Sequence, residues 1–152
     1  MSVTIRKASS ADVGIIHDIR RDAILGIESD DFGIVERHAW ADRRSPEFFA
    51  RRVAAGEVVL AVSGSSGLGW GSSSGNYISG VYVRSSSGRA GVGRALMSRL
   101  EADMVKRGHE SATLDSSPHA VGFYIKLGYA SVGPPDDDGA LPMRKVLRVS
   151  DA

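Results

Sequence analysis

The most informative segment of the chain is Val81-Tyr-Val-Arg-Ser-Ser-Ser-Gly88-Arg89-Ala90-Gly91-Val92-Gly93-Arg94-Ala95-Leu96. It begins with β-branched and aromatic residues, passes through a turn rich in Ser and Gly, and continues with helical periodicity. Apolar side chains then recur at every fourth position from Val92 to Met104. A helix with such a stripe packs one face on a sheet and leaves its N-terminus free. The stretch therefore predicts a strand, a turn and a helix, in that order.

The Gly-rich turn suits an anionic ligand. Backbone amides at the start of a helix have no partner within the helix, and the helix dipole places partial positive charge there. Gly88, Gly91 and Gly93 would let a ligand approach the backbone closely. Arg89 and Arg94 add full positive charges. The other interpretation, in which the glycines serve only a tight turn and close helix packing, stays open on these residues alone.

Two nucleotide-binding motifs fit this turn poorly. A P-loop requires GxxxxGK[ST], and no lysine follows Gly93. A dinucleotide fingerprint has partial support, because Gly91 and Gly93 open a helix and Asp115 lies near the end of the next predicted strand. However, Leu96 replaces the third glycine of the fingerprint. Residues 84–90 also separate the strand from Gly91, the first glycine of the fingerprint. A dinucleotide-binding protein is therefore the less favoured alternative.

Composition and charge predict one globular domain over residues 1–152. With 19 Lys plus Arg against 18 Asp plus Glu, the net charge of +1 argues against a general nucleic-acid binder, although a local basic patch stays open. The absence of cysteine excludes disulfides, thiolate metal sites and a cysteine nucleophile, and the four histidines lack metal-ligand spacing. The apolar run Val58 to Val62 is too short to span a bilayer, and the first residues lack a signal-peptide core. We therefore expect a cytoplasmic protein without a metal or a membrane partner.

A second motif is Leu114-Asp-Ser-Ser-Pro-His-Ala120-Val-Gly-Phe123-Tyr124-Ile-Lys-Leu-Gly128-Tyr129. Ser117 and Pro118 predict the cap and first residue of a helix that ends at Gly128. Tyr124 shares one helical face with Ala120 and Phe123. Its ring is therefore either an ordinary core aromatic or the carrier of a functional hydroxyl. His119, on the first turn, is predicted to be a surface residue.

Together the two motifs resemble those of the GCN5-related N-acetyltransferases, the GNAT family. In that family, a strand leads through [QR]xxGx[GA] into a helix that holds the pyrophosphate of acetyl-coenzyme A (acetyl-CoA). Residues 88–93 read GRAGVG here, so Gly88 replaces the opening Gln or Arg, and Arg89 stands one place later. The family's second motif reads roughly NxxAxxFYxxxG[FY]. Residues 120–129 match it closely, with Ser117 where Asn is common.

The resemblance implies a GNAT fold of the α+β (mixed α/β) class. Its central sheet is mostly antiparallel but mixed, with six to seven strands, and about four helices flank it. The order of predicted elements agrees with this fold. Within it, residues 63–75 are predicted to hold a short strand around Leu68 to Gly71, between two turns. Pro142 predicts an edge position or a bulge for the last strand, Leu141 to Leu147.

The resemblance also implies an N-acetyltransferase that moves an acetyl group from acetyl-CoA to a primary amine by direct attack in a ternary complex. Tyr124 would be the catalytic residue that protonates the leaving thiolate. Ser117, besides capping the helix, would contact the pantetheine arm or the adenosine. The residues implied to bind the coenzyme lie on the strand end, the Gly-rich turn, the helix start and the second motif: Val81, Tyr82, Val83, Gly88, Arg89, Ala90, Gly91, Val92, Gly93, Arg94, Ser117 and Tyr124.

The sequence does not identify the general base. Family members often carry an acid on the fourth strand, but residues 76–80 read NYISG and hold no carboxylate. Asp115 is one candidate, against its alternative as the cap of a strand end. Other candidates for the base or for substrate contact are polar residues of the first long connection and of the fourth strand, each of which also fits an ordinary solvated position: Glu28, Asp30, Asp31, His38 and Tyr77.

The acceptor is expected to be a small-molecule or peptide amine, and the sequence does not choose between them. A homodimer is compatible with the sequence. A second function class also stays open, in which a GNAT-fold module binds acyl-CoA as a sensor without turnover. Two departures from the family's pattern support this alternative: Gly88 stands where the motif opens with Gln or Arg, and the fourth strand has no acid.

Overall fold

The computed structural model describes residues 2–27, 40–87 and 91–147. Within these ranges, seven strands form a single sheet: β1 (Thr4–Lys7), β2 (Val58–Ser63), β3 (Ser66–Ser74), β4 (Tyr77–Val83), β5 (Ser111–Ser116), β6 (Ala130–Ser131) and β7 (Leu141–Val146). Four α-helices lie wholly within the same ranges: α1 (Val13–Leu25), α2 (Pro46–Ala54), α3 (Val92–Lys106) and α4 (Val121–Lys126). Trp40 and Ala41 are also helical. None of the helices found there is long and apolar enough to cross a membrane.

The strand order in the sheet is β1-β2-β3-β4-β5-β7-β6. Only β4 and β5 are parallel, and every other neighbouring pair is antiparallel. The predicted α+β fold with a mixed, mostly antiparallel sheet is confirmed. Pairing between β4 and β5 is limited to Tyr77 with Thr113 and Ile78 with Leu114. Beyond these pairs the two strands separate, which opens a gap in the middle of the sheet.

Both faces of the sheet are covered by helices, and β2 shows why. Its residues are apolar without alternation, as expected for a strand that is buried on both sides. Val58 and Leu60 pack toward α1 and α2, where the buried partners are Ile16, Ile19 and Phe49, and Trp70 of β3 lies in the same core. Val59 and Ala61 pack toward α3, in a core that includes Leu96, Met97, Leu100 and Met104.

The turn between β1 and α1 is fixed by a buried carboxylate. Asp12 is 5% exposed and accepts two hydrogen bonds from Arg6, at 2.8 and 3.0 Å, and one from the Ser9 amide at 2.7 Å. The hydrogen bonds from Arg6 are the largest cause that lowers the pKa of Asp12 to about 2. The bonds thus tie the first strand to the start of α1.

The Ser- and Gly-rich segment forms a longer strand than the sequence predicts. β3 spans nine residues and lies between β2 and β4, so its backbone is paired on both sides. A Cβ on Gly69 would lie 3.1 Å from Val92 and 2.8 Å from the Tyr82 carbonyl oxygen. The missing side chain therefore lets α3 pack directly on the strand. Pairing and packing, rather than the weak β propensity of Ser and Gly, set the length of β3.

The prediction of an edge position for the strand that contains Pro142 is wrong. β7 lies between β5 and β6. The carbonyl of Pro142 accepts a hydrogen bond of 2.9 Å from the Val132 amide, so its nitrogen also faces the β6 side. Because β6 has only two residues, the missing donor costs the ladder little.

Candidate functional site

A cleft of about 470 Å³ lies where β4 and β5 separate. Its walls come from the end of β4, the start of α3, the end of β5 with the turn after it, and α4. The cleft brings together eight of the residues that the sequence predicts for coenzyme binding: Val81, Tyr82, Val83, Gly91, Gly93, Arg94, Ser117 and Tyr124. Val92 is buried in the core, so it offers only its backbone to this site.

The start of α3 presents free amides to the cleft. Gly91 caps the helix in the left-handed conformation, with φ of 75°, which a residue with a side chain rarely adopts. The first hydrogen bond within the helix runs from the Ala95 amide to the Gly91 carbonyl oxygen, at 3.0 Å. The amides of residues 92–94 precede that bond, so they have no partner within the helix. Apart from its neighbours in the chain, no described residue has an atom within 4 Å of a Cβ placed on Gly91, so the described residues leave the approach to these amides open.

The strand β4 carries a bulge at Ser79. On the neighbouring strand, Ser72 pairs with Gly80 and Ser73 pairs with Ile78, so Ser79 is an extra residue. A bulge bends its strand and redirects the side chains beyond it. The Ser79 hydroxyl shares a hydrogen bond with the Ser72 hydroxyl and accepts a hydrogen bond of 2.8 Å from the Arg52 guanidinium.

Beyond Ile78, β4 has backbone groups that no strand of the described residues pairs on the β5 side. The strand remains paired with β3 on its other side through Val83. One row of its N–H and C=O groups is therefore available to an extended ligand, as at the edge of a sheet. These groups belong to Val81, Tyr82 and Val83, which the family resemblance implies as coenzyme-binding residues.

Tyr124 places a buried phenol in the wall of the cleft. The residue is 8% exposed, and its ring contacts those of Phe123 and Tyr129 at centroid distances of 5.1 and 5.9 Å. Burial, followed by the nearby phenols of Tyr82 and Tyr77, raises the pKa of Tyr124 to about 12. No hydrogen bond to its hydroxyl is found within the described ranges. The phenol is thus a neutral donor at physiological pH.

Asp115 supplies a carboxylate to the same cleft. It lies at the end of β5, is exposed, and accepts a hydrogen bond of 2.9 Å from the Tyr77 hydroxyl. Burial is the largest cause that raises the pKa of Tyr77 to about 12, and the bond to Asp115 is the second. Tyr77 therefore stays protonated and holds the carboxylate in place. The sequence named both residues, but only the structure shows that they are partners.

Some predicted site residues lie outside the described residues. These are Gly88, Arg89 and Ala90 of the turn, and Glu28, Asp30, Asp31 and His38 of the first connection. His119 is exposed, as predicted, and lies at the cleft with its ring 6.1 Å from that of Trp40. Within the described part of the chain, no group of three or more His, Asp or Glu is placed to hold a metal ion.

A second, smaller cavity adjoins the cleft, and the sequence reasoning missed it. We call it the basic pocket. Its volume is about 200 Å³, and it shares Trp40, Ser79 and Tyr82 with the cleft. A signal for it existed in α1, because Arg20 lies four residues from both Ile16 and Ile24 and interrupts their apolar stripe. The pocket is lined by Arg20, Trp40, Arg43, Arg44, Phe48, Phe49, Arg52, Trp70, Ser72, Ser79 and Tyr82.

Comparison with protein families agrees with this geometry. Residues 18–147 match the family model described as an acetyltransferase (GNAT) domain. The chain belongs to the GNAT acetyltransferase family. The family resemblance predicted from the two sequence motifs is thus confirmed, and the match extends well beyond them on both sides. Among curated proteins, none matches this GNAT chain.

Solved structures share the fold of this GNAT domain. A GCN5-related N-acetyltransferase from Rhodopseudomonas palustris is 24% identical, with 97% of each chain covered and a TM-score of 0.86. The PaiA N-acetyltransferase from Thermoplasma acidophilum, in complex with coenzyme A, is 21% identical, with 96% of this chain and 99% of that chain covered and a TM-score of 0.78. The yncA protein of Salmonella typhimurium, with its cofactor acetyl-CoA, is 21% identical, with 100% and 98% covered and a TM-score of 0.69.

Proposed function

We propose that this GNAT protein is an N-acetyltransferase that moves an acetyl group from acetyl-CoA to a primary amine within a ternary complex. One observation carries the proposal: a single cleft combines free helix amides, an unpaired strand edge and a buried neutral phenol. Membership of the acetyltransferase family supports it. So do fold relatives that hold coenzyme A or acetyl-CoA.

The cleft residues fit the parts of acetyl-CoA. The free amides at Gly91 to Arg94 would bind the pyrophosphate, and the Arg94 side chain adds positive charge at the same wall. The unpaired groups of Val81 to Val83 would bond to the amides of the pantetheine arm. Acetyl-CoA supplies an activated thioester, so the protein needs no covalent nucleophile.

Tyr124 would stabilise the leaving sulfur. Burial raises the pKa of the Tyr124 phenol to about 12, so the phenol is protonated at working pH and can donate a hydrogen bond as negative charge develops on sulfur. Because a thiol has an ordinary pKa near 8.5, the thiolate is a weaker base than the phenolate, so the hydrogen bond is the main contribution of Tyr124 and solvent can supply the proton after release. Its burial helps, because a donor acts more strongly in a site that excludes water.

Asp115 would receive the amine proton, directly or through a water molecule. The reaction forms a bond between the amine nitrogen and the acetyl carbon and breaks the bond between that carbon and sulfur. The nitrogen loses a proton in this exchange, and a carboxylate in the wall of the cleft can take it. The Tyr77 hydroxyl would orient Asp115 for this task through its bond of 2.9 Å.

Two measurements on the same preparation test the proposal. Calorimetry with acetyl-CoA measures binding, and a thiol-release assay over a panel of primary amines measures turnover. We expect saturable binding and amine-dependent release of free coenzyme A. Binding without release for every amine would instead identify an acyl-CoA-binding module, and an absence of binding would remove the acetyltransferase assignment of the cleft.

A further inference from the structure

The basic pocket has a strongly one-sided charge. Four arginines line it, and its described lining contains no Asp or Glu. The chain as a whole is nearly neutral, with a net charge of +1, so this concentration of positive charge is local. A cavity lined by one sign of charge raises the local concentration of ligands of the opposite sign. The pocket is thus suited to an anion.

Arg20 is the most buried of the four arginines. It is 5% exposed, and its guanidinium donates to the carbonyl oxygens of Ala41 and Trp40, at 3.1 and 3.3 Å. It also lies over the rings of Phe49 and Tyr82, at 5.9 and 5.6 Å from their centroids. Within the described ranges, no ion pair links it to a carboxylate.

The contacts of Arg20 leave room for a further partner. A guanidinium has five N–H donors in a planar fork that matches carboxylate and phosphate oxygens. Two neutral carbonyl oxygens use only part of that capacity, and a buried charge is costly unless a counter-charge accompanies it. Arg20 therefore points to a ligand that brings the missing negative charge.

Arg52 lines the same pocket. It donates to the Ser79 hydroxyl at 2.8 Å and stacks over Phe48 at 5.1 Å. These two contacts hold the guanidinium without neutralising it. Because Ser79 is the bulged residue of β4, Arg52 is fixed to the strand whose free edge faces the cleft. A ligand bound at Arg52 would therefore be adjacent to the reacting groups.

The pocket and the cleft are neighbours. Trp40, Ser79 and Tyr82 line both cavities, so a small molecule that passes these side chains would have one end in the pocket and the other in the cleft. The volume of about 200 Å³ suits one small anionic group and its carbon chain. The pocket thus lies on the acceptor side of the proposed reaction.

We propose that the acceptor is a small amine that carries a carboxylate or a phosphate group. Arg20 and Arg52 bind the anionic oxygens, and the amine extends past Ser79 into the cleft. This inference rests on the proposed acetyltransferase activity, since it names the substrate class of that activity. It excludes purely cationic polyamines as the preferred acceptors.

Pairs of acceptors that differ only in the anionic group test the inference. Glycine, serine, methionine and phenylalanine are each compared with their primary amides, and ethanolamine phosphate is compared with ethanolamine. We expect the anionic member of at least one pair to have a kcat/KM at least about tenfold higher, since charge-assisted hydrogen bonds are lost in the other. The two sets show whether carboxylate or phosphate is the group recognised. Equal or better turnover of the neutral member in every pair would overturn the inference while leaving the acetyltransferase activity intact.

Arg52→Gln should raise the KM of the preferred anionic acceptor about tenfold or more. The KM values for its neutral counterpart and for acetyl-CoA should stay within about twofold, and Arg52→Lys should recover part of the loss. Arg51→Gln is the matched control, because Arg51 is an exposed neighbour on α2 that does not line the pocket. An equal loss for anionic and neutral acceptors would overturn the inference. So would a raised KM for acetyl-CoA, which would assign the pocket to the coenzyme.

The inference can also be tested if no amine supports thiol release. In that case the proposed activity fails, and calorimetry with the same anionic amines, on protein saturated with coenzyme A, tests the pocket separately. Binding of an anionic amine that Arg52→Gln weakens and Arg51→Gln preserves would retain the anion site. Absence of binding for all of them would overturn it.

Discussion

The Tyr77 hydroxyl donates a hydrogen bond of 2.9 Å to the carboxylate of Asp115. Asp115 directly follows Leu114, which forms with Ile78 the last residue pair that joins β4 to β5. The bond connects the two parallel strands where they begin to separate. It thereby fixes a carboxylate at the mouth of the gap that the separation creates. Tyr77 and Asp115 thus link β4 to β5 and also hold the proposed proton acceptor in position.

Replacement of Asp115 by Asn should slow the reaction in a pH-dependent way. We expect kcat/KM at neutral pH to fall by about a hundredfold, within the range for loss of a general base. The loss should shrink as pH rises, because hydroxide and other solution bases can then take the proton that the attacking nitrogen loses. A profile of kcat/KM from pH 6 to pH 10 measures this, and Asp137→Asn, on an exposed turn, is the control. A loss that stays constant over that range would argue against proton transfer to Asp115.

Tyr124→Phe should reduce kcat and leave stability nearly unchanged. We expect a decrease of roughly tenfold to a thousandfold, because the donor to the leaving sulfur is removed while the ring keeps its packing. Within the described residues the hydroxyl has no hydrogen bond to lose, so the melting temperature should change little. Stopped-flow or steady-state thiol release and a melting curve on the same preparation provide the measurement.

Tyr129→Phe is the matched control for Tyr124 and should show the opposite behaviour. Tyr129 is 3% exposed, and its hydroxyl donates a hydrogen bond of 2.8 Å to Glu101, away from the cleft. Removal of this hydroxyl should cost about 1–2 kcal/mol of unfolding free energy and preserve kcat. If Tyr124→Phe behaved like Tyr129→Phe, Tyr124 would be a structural aromatic without a catalytic role.

Gly91→Val should weaken coenzyme binding by about tenfold or more. A side chain at φ of 75° is strained, and it would occupy the space through which a phosphate approaches the helix amides. Calorimetry with acetyl-CoA measures the change. Gly64→Val is the matched control, because Gly64 lies in the turn after β2 and also has a positive φ, of 59°. Among the described residues other than its chain neighbours, none has an atom within 4 Å of its Cβ position. Both variants should lose stability to a similar extent, and equal coenzyme affinities for the two would place the phosphates elsewhere.

The pair of Arg6 and Asp12 should make stability depend on acidic pH. The folded protein lowers the pKa of Asp12 from 3.8 to about 2, so the pair stabilises the fold at any pH above about 4. This contribution is lost as pH falls from about 4 to about 2. We expect it to be about 1–2 kcal/mol, because the Arg6 side chain is 46% exposed and solvent screens the pair.

Denaturant unfolding of the wild-type protein and of Asp12→Asn between pH 2 and pH 7 tests this contribution. The difference between the two should be present at pH 7 and vanish near pH 2. Asp42→Asn is the control, since Asp42 and its partner Arg21 are both largely exposed and their pair should add little at any pH. A difference that does not change with pH would show that Asp12 acts by packing alone.

Much of the site could be predicted from sequence because its signals are local. The strand, turn and helix around Gly91 follow from apolar spacing and from glycines within one short segment. The left-handed cap at Gly91 is a property of that residue type. Tyr124 could be placed on one face of a helix for the same reason, and two motifs in the right order predicted the family that the comparison confirms.

Other features depended on residues that are distant in the chain. The length of β3 follows from pairing on both sides and from α3 packed against Gly69, although Ser and Gly favour strands weakly. The sequence alone could name Tyr77 and Asp115 only as separate candidates, because their bond requires β4 and β5 to be neighbours. Strand order is a property of the whole sheet, which no local pattern encodes.

The basic pocket shows most clearly the difference between features that a local sequence pattern predicts and features that depend on distant residues. Its arginines lie in α1, in α2 and in the segment between them. Each of them, taken alone, looks like an ordinary charged residue of a helix or loop. The sequence determined that a positive charge would interrupt the apolar stripe of α1 at Arg20. What that charge faces depends on tertiary packing, because α1 and α2 on one side of the sheet, together with the bulge at Ser79, bring Arg20 and Arg52 to one cavity beside the cleft.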